Sequence, residues 1–138
     1  MQIPYTLGPS VGTRARLGMI ILQSDETLEY DLRRIIPAQD VALFITRVRS
    51  APTVSTETLA QMERDLPQAA SLLPPVSFQA VGYGCTSGTS VIGAGRVDEL
   101  IRSEAQVTST TNPMTALIAA CQHMGVTDLS FLSPYVEE

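Results

Sequence analysis

The chain has 138 residues, 44% of them hydrophobic and 17% charged, and this length and composition predict one folded domain with an apolar core. Fourteen acidic residues against nine basic ones give a net charge of −5, which argues against nucleic acid or an anionic membrane as a partner. All nine basic residues are arginines. The sequence therefore excludes a lysine Schiff base, pyridoxal phosphate attached to this chain and a Walker A nucleotide loop.

Residues 17–22 form one of the longest apolar runs, far short of the roughly 20 residues that a membrane-spanning helix requires. Residues 1–10 lack the pattern of a signal peptide, so we expect a cytoplasmic protein. In that compartment Cys85 and Cys121 are expected to be thiols, although a pair between them stays open. The single histidine, His123, cannot supply a two-histidine metal site, and no metal is expected.

From residue 16 onward, short apolar runs alternate with longer amphipathic stretches. This pattern predicts an α/β domain with a doubly wound, mostly parallel sheet of four or five strands. The predicted strands are residues 17–22, 41–48, 78–82, a weaker fourth at 106–109, and 128–132. The predicted helices are residues 26–35, ended by Pro37, then 57–73, 95–102 and 114–124.

The ends of the first two helices leave alternatives open. Ser24 or Asp25 can cap the first helix, and Ser55 or Thr56 can cap the second. Pro67 lies inside the second helix and is expected to kink or divide it.

Ligands bind doubly wound sheets at the carboxyl ends of the strands. The loops expected there are residues 23–27, 83–90, 110–112 and 133–135. These four loops contain most of the side chains that could perform chemistry.

The segment at 82–90, GYGCTSGTS, places Cys85 where a buried strand turns into a helix. Backbone amides at that position attract anions and stabilise a thiolate, and Thr86 and Ser87 add hydroxyl donors that could hold a carboxylate. An equally open interpretation makes Cys85 a small buried hydrophobe among ordinary turn residues. The spacing fits neither a tyrosine-phosphatase loop, which needs Arg where Val91 stands, nor a G-x-G-x-x-G dinucleotide loop.

The motif GCTSGT at 84–89, together with QSDETLE at 23–29 and SPYVEE at 133–138, resembles the aspartate/glutamate racemase-like superfamily. The sequence is similar to its maleate cis-trans isomerase and arylmalonate decarboxylase branch and, more narrowly, to the ectoine-utilisation protein A group. The resemblance covers the chain from about residue 17 to its end. It implies two similar α/β domains facing each other across a cleft, no cofactor, no metal, and a small carboxylic acid as substrate.

The resemblance also implies roles for individual residues. Cys85 would be the catalytic cysteine, acting as a nucleophile toward an alkene in isomerases or as an acid and base in racemases. Thr86 and Ser87 would bind the substrate carboxylate or an enediolate-like intermediate, and Tyr135 would donate its hydroxyl to the same ligand. The opposite wall would be formed by Gln23 and Ser24.

Two features depart from the family pattern. Asp25 stands where maleate isomerase-like sequences carry Asn, so a substrate carboxylate there would meet a like charge, which disfavours maleate itself. The sequence given ends at Glu138, where relatives continue into a second domain bearing a partner cysteine, and Cys121 looks like a helix-packing residue. We therefore expect residues 1–138 to be one domain and about half of a functional unit, dependent on a second domain or on a homo-oligomer.

Ordinary structural roles compete with several of these assignments. Asp25 and its acidic neighbours could simply favour a helix N-terminus, Tyr135 could be a core-edge tyrosine, and His123 could sit in a helix C-terminal turn.

Two functions stay open. One is a cofactor-independent isomerase, racemase or decarboxylase that acts on a small carboxylate through Cys85, in ectoine catabolism if the narrower resemblance holds. The other is a non-catalytic domain that binds a small anion or a protein partner.

Overall fold

The computed structural model describes residues 3–36, 39–51, 55–130 and 132. Its elements, in chain order, are β1 (Ala15–Leu22), α1 (Leu28–Ile35), β2 (Val41–Val48), α2 (Thr56–Ser71), β3 (Phe78–Tyr83), α3 (Thr86–Ile92), α4 (Ala94–Arg102), β4 (Val107–Thr111) and α5 (Pro113–His123). The four strands form one sheet in the order β2-β1-β3-β4, and every pairing is parallel. The predicted α/β class with a parallel sheet is confirmed.

The expectation of a fifth strand at 128–132 is wrong for the residues that the structure describes. Residues 126–130 and 132 form no regular secondary structure, and Leu129 and Leu132 are 58% and 99% exposed. A strand is stable only when a neighbouring strand satisfies its backbone groups, and this segment lies on no sheet edge. Phe131, Pro37 and the predicted loop at 133–135 lie outside the described residues.

The main core lies on one face of the sheet. Ile20 of β1 and Val81 of β3 are fully buried there, against Leu66 of α2 and Ile101 of α4. Phe78 adds an edge-to-face contact with Phe44, with ring centroids 5.7 Å apart. Helices α2, α3 and α4 thus form one continuous layer over this face.

The second face is covered less completely. Met19 alternates with Ile20 and so points to this face, where it lines a cavity with Leu28 of α1 and Ala116 of α5. Neither α1 nor α5 has a buried residue among those described. This thin covering leaves space at the sheet surface, and the cavity occupies that space.

The structure also decides between the alternative helix caps. Asp25 Oδ1 accepts the N–H groups of Thr27 (2.9 Å) and Leu28 (2.7 Å), so Asp25 rather than Ser24 satisfies the start of α1. Ser55 caps α2, because its Oγ accepts the N–H of Thr58 while Thr58 Oγ1 accepts the N–H of Ser55.

Pro67 does not divide α2, which runs unbroken from Thr56 to Ser71. Leu66 on one side of it and Ala69 and Ala70 on the other are all buried in the core. Burial of these side chains holds both segments in one helix despite the missing proline N–H.

Among the described residues, no helix is both long enough and apolar enough to cross a membrane.

We predict that Leu66→Ala lowers the free energy of unfolding by about 2–5 kcal/mol, because it removes a fully buried side chain from the core. The matched control is Leu72→Ala at the end of the same helix, where the side chain is 71% exposed and the loss should stay within about 0.5 kcal/mol. Chemical denaturation measures both changes. Equal losses in the two variants would contradict the assignment of the buried face of α2.

We also predict that Asp25→Ala destabilises the fold by about 1 kcal/mol, because the first amides of α1 lose their acceptor. Asp25→Asn retains an acceptor oxygen and should cost less than the alanine variant. Denaturation midpoints of the two variants make the comparison. If both substitutions were equally destabilising, the negative charge rather than the hydrogen bonds would be the stabilising feature.

Candidate functional site

The order of the sheet creates a crevice between β1 and β3. From β1 the chain moves to β2 on one side, and it then crosses to β3 on the other side, so the loops that follow β1 and β3 diverge. In parallel sheets such a reversal of strand order is where ligands bind. The carboxyl ends of these two strands are therefore the expected place for a site.

A cavity of about 420 Å³ lies at this position. It is lined by the ends of β1, β3 and β4 and by the first turns of α1 and α5: Met19, Asp25, Thr27, Leu28, Asp31, Gly82, Tyr83, Gly84, Thr111, Asn112, Pro113 and Ala116. A larger cavity, of about 640 Å³, lies near the amino end of β2 between residues 9–13 and 40–44. It lies at the amino end of β2, away from the strand carboxyl ends, so we place the candidate site in the smaller cavity, whose wall includes Gly84 next to Cys85.

Arg47 fixes the loop after β1. Its Nη1 donates to the backbone carbonyls of Leu22 (3.1 Å), Gln23 (3.3 Å) and Asp25 (2.7 Å). Its Nη2 lies 3.8 Å from Glu29 Oε2. From the sequence, Arg47 was placed in β2 and assigned no role. The feature that could have indicated one is a positive charge near the carboxyl end of an otherwise apolar strand.

The predicted residues of this loop differ in where they lie. Asp25 lines the cavity, although its Oδ1 already accepts two amide hydrogens at the start of α1. Gln23 and Ser24 are exposed and, in the described structure, are not part of the cavity wall. Ser24 Oγ is instead 3.0 Å from Ser50 Oγ.

The structure places Cys85 directly after β3, at the turn into α3, with 5% of its surface exposed. Its Sγ accepts the N–H of Gly88 at 3.2 Å and lies 3.7 Å from Ser87 Oγ. Its carbonyl accepts the Thr89 hydroxyl at 2.6 Å. These bonds hold the thiol in one position, next to Gly84 of the cavity wall, although Cys85 itself does not line the cavity as described.

Thr86 and Ser87 lie beside Cys85 in the first turn of α3 and are half-buried. The three consecutive residues Cys85, Thr86 and Ser87 thus share the turn into α3, whereas Asp25 lines the cavity. Tyr135 lies outside the described residues.

Two further polar side chains at this end of the sheet were not assigned roles from the sequence. Asn112 is buried, lines the cavity and caps α5 by accepting the Thr115 N–H at 2.8 Å. It lies in the loop at 110–112, which the strand order predicted to be at this edge. Tyr83 is fully buried, and its hydroxyl has no hydrogen-bond partner within the described part of the chain.

Tyr83 and Cys85 converge on Gly88. A Cβ atom at Gly88 would lie 2.5 Å from Tyr83 Oη and 3.0 Å from Cys85 Sγ, so only glycine leaves room for both side chains. Burial, then the nearby Cys85 charge, and then the close approach of the Cys85 side chain to the hydroxyl raise the pKa of Tyr83 above the ordinary range of a phenol. The hydroxyl thus stays protonated and acts as a donor. A tyrosine two residues before a strand-end cysteine was the only sequence signal for this contact.

The second cysteine and the histidine lie elsewhere. Cys121 is half-buried and His123 is exposed, both on α5. Among the described residues, no three histidine, cysteine or carboxylate side chains gather closely enough to hold a metal ion.

No protein-family model and no curated protein matches this sequence. Solved structures do match it. The maleate isomerase Iso from Pseudomonas putida S16 is 22% identical, with a TM-score of 0.62 over 80% of this chain and 50% of that chain. A cysteine-to-alanine variant of Iso, solved with maleate, is 21% identical, with a TM-score of 0.60 over 80% of this chain and 49% of that one.

A maleate cis-trans isomerase from Nocardia farcinica, bound to TRIS, is 22% identical, with a TM-score of 0.58 over 80% of this chain and 49% of that chain. The chain thus spans about half the length of each of these three structures. At this level of identity, the neighbours show similarity of fold. By its fold, the chain is similar to about one half of a maleate isomerase.

Proposed function

We propose that this chain supplies the Cys85-bearing half of a cofactor-independent enzyme that acts on a small carboxylic acid. One observation carries the proposal: Cys85 is held at the carboxyl end of β3, beside the cavity where the strand order reverses. The fold supports it, because the neighbours are maleate isomerases and one was solved with maleate.

An isomerisation at this site would proceed by addition and elimination. The Cys85 thiolate forms a C–S bond to one alkene carbon, and the π electrons move onto the substrate carboxylate as an enediolate-like intermediate. Rotation about the resulting single bond and expulsion of the thiolate restore the alkene. Racemisation and decarboxylation need the same stabilised intermediate, with Cys85 transferring a proton instead.

Hydrogen-bond donors must stabilise that intermediate. Thr86 and Ser87 lie beside Cys85 at the start of α3, and the Asn112 side chain lines the cavity. Donors aimed at charge that develops in the transition state are commonly among the largest contributions to catalysis. We assign substrate-carboxylate binding to Thr86 and Ser87, with Tyr135 as a third donor on the basis of the sequence resemblance.

Asp25 and Asp31 both line the cavity, and they give that part of its wall negative charge. A second substrate carboxylate would be repelled there, whereas a neutral or cationic group would be accepted. We therefore propose a substrate with one carboxylate toward Cys85 and an uncharged or basic group toward Asp25, rather than maleate. The narrower assignment to ectoine utilisation, and a cytoplasmic location, stay predictions from the sequence.

We propose that the complete site includes a second domain or a second copy of the chain. Chemistry at carbon needs groups on both sides of the substrate, and the cavity is open above the second face of the sheet. The helices around it expose apolar side chains: Leu117, Ile118 and Met124 at α5 and Tyr30 and Ile35 on α1 are 45–76% exposed. Exposed apolar surface of this kind marks an interface.

One observation favours the alternative, a non-catalytic domain that binds a small anion. Cys85 is almost fully buried, as an inert structural thiol would be. The two functions therefore differ in the reactivity of Cys85 rather than in the fold.

We predict that Cys85→Ala lowers turnover of a small carboxylic acid by on the order of 10³-fold or more, because it removes the attacking group. The matched control, Cys121→Ala, removes the other thiol, on α5, and should leave turnover unchanged. Steady-state assays with a panel of mono- and dicarboxylic acids measure both. Full turnover by Cys85→Ala would disprove the assignment.

We predict that Ser87→Ala lowers kcat by on the order of 10²–10³-fold, because the Ser87 hydroxyl would stabilise the developing negative charge. Ser90→Ala is the control on the same helix, since Ser90 Oγ is exposed and donates to the Thr86 carbonyl. A raised KM with an unchanged kcat would show instead that Ser87 binds the ground state and the transition state equally.

A further inference from the structure

We propose that Tyr83 is a positioning residue for Cys85, and that its buried hydroxyl is the donor that holds the Cys85 thiolate once the thiolate forms. The inference rests on the proposed role of Cys85 as the reacting group. It adds a residue that contacts neither the substrate carboxylate nor the reacting carbon.

The first observation is that the Tyr83 hydroxyl is fully buried and makes no hydrogen bond of good geometry among the described residues, while the Cys85 side chain lies close enough to affect its pKa. A buried hydroxyl without a hydrogen bond destabilises a fold, and phenylalanine would fill the same space without that penalty. Tyrosine at this position is therefore explained by a partner that accepts its hydrogen bond in another state of the molecule.

The second observation is the position of the hydroxyl oxygen. Tyr83 Oη and Cys85 Sγ both lie within 3.0 Å of the point where a Gly88 Cβ would be. A neutral thiol is a weak acceptor, whereas a thiolate accepts strongly. Ionisation of Cys85 would thus give the Tyr83 hydroxyl the partner that it lacks.

A thiolate would then have two donors. The Gly88 N–H already donates to Sγ at 3.2 Å, and the Tyr83 hydroxyl would approach from the strand. These two donors, one on β3 and one on α3, would hold the sulfur in one position and favour its thiolate form. Because burial and Cys85 itself raise the pKa of Tyr83, the phenol acts as a donor and not as a base.

Other ionisable groups around this turn lie farther toward solvent. Helix α3 carries none, and helix α2, which packs on α3, turns buried Leu59, Met62 and Leu66 toward the core. The ionisable side chains on the surrounding elements are exposed or partly exposed: Glu57, Glu63, Arg64 and Asp65 on α2, Arg96, Asp98, Glu99 and Arg102 on α4, Asp25 and Asp31 at the cavity, and Cys121 and His123 on α5. Tyr83 is thus the buried ionisable neighbour of Cys85 in the described structure.

The test is the pH dependence of Cys85 alkylation by iodoacetamide, followed by mass spectrometry in a Cys121→Ser background. Tyr83→Phe should move the pH midpoint upward by about one unit, equivalent to about tenfold slower alkylation below the midpoint, since a hydrogen bond to a charged group is lost. Tyr30→Phe, which removes an exposed hydroxyl on α1, should leave the midpoint unchanged. The Tm of Tyr83→Phe should be equal to or above that of the parent.

An unchanged or lowered midpoint in Tyr83→Phe would overturn the proposal for Tyr83 alone. A large fall in Tm would also overturn it, because the hydroxyl would then have a structural partner already. If Cys85 in the parent resisted alkylation at every pH at which the chain stays folded, both this proposal and the proposed catalytic role of Cys85 would fail.

Discussion

The candidate site depends on the central position of β1, which pairs in parallel with β2 on one side and β3 on the other. This arrangement forces the chain to change direction between the first and second crossovers, and the loops after β1 and β3 separate as a result. The ladder extends one residue past β3, because the Gly84 N–H donates to the Ile20 carbonyl at 2.8 Å. Cys85 therefore leaves the sheet at a position set by backbone hydrogen bonds rather than by a flexible loop.

The two faces of the sheet serve different purposes. One is closed by α2, α3 and α4 over a core in which Ile20, Leu66 and Ile101 are fully buried, and this core fixes α3 and thus Gly88. The other is covered only thinly by α1 and α5 and retains the cavity. The closed layer thus holds the thiol, while in our proposal the more open layer admits a ligand and a second domain. Precise placement of a reacting group on such a scaffold is what enzyme catalysis requires.

Local patterns in the sequence predicted most of the fold. Short apolar segments predicted the first three strands, with the second at the bounds observed, and the fourth was predicted more weakly from a polar segment. The run at 128–132 has the same character without a partner strand, and pairing is a tertiary property that a single segment does not encode. Asp25 likewise allowed two interpretations, and only the position of α1 shows that its carboxylate accepts the amide hydrogens of Thr27 and Leu28 at the start of that helix.

The position of the turn that carries Cys85 was also predicted from a local pattern. A glycine-rich turn around Cys85 is visible in the sequence, and the structure places it at the strand-to-helix turn. The contact of Arg47 with three carbonyls about 25 residues away and the convergence of Tyr83 and Cys85 on Gly88 depend on packing between elements. Side chains that act through another residue, rather than on a ligand, leave little pattern along the chain.

The central claim is that Cys85 is a reactive thiol beside a carboxylate-binding cavity, and ligand protection tests it most directly. The rate of Cys85 alkylation would be measured in the Cys121→Ser variant with and without a series of small carboxylic acids, with the matching alcohols as controls. The account predicts that Cys85 alkylates readily, and that carboxylates, most of all those with a single carboxylate, slow the reaction while the alcohols do not. A Cys85 that stays unmodified in the folded chain, or that is modified at the same rate with every acid, would contradict it.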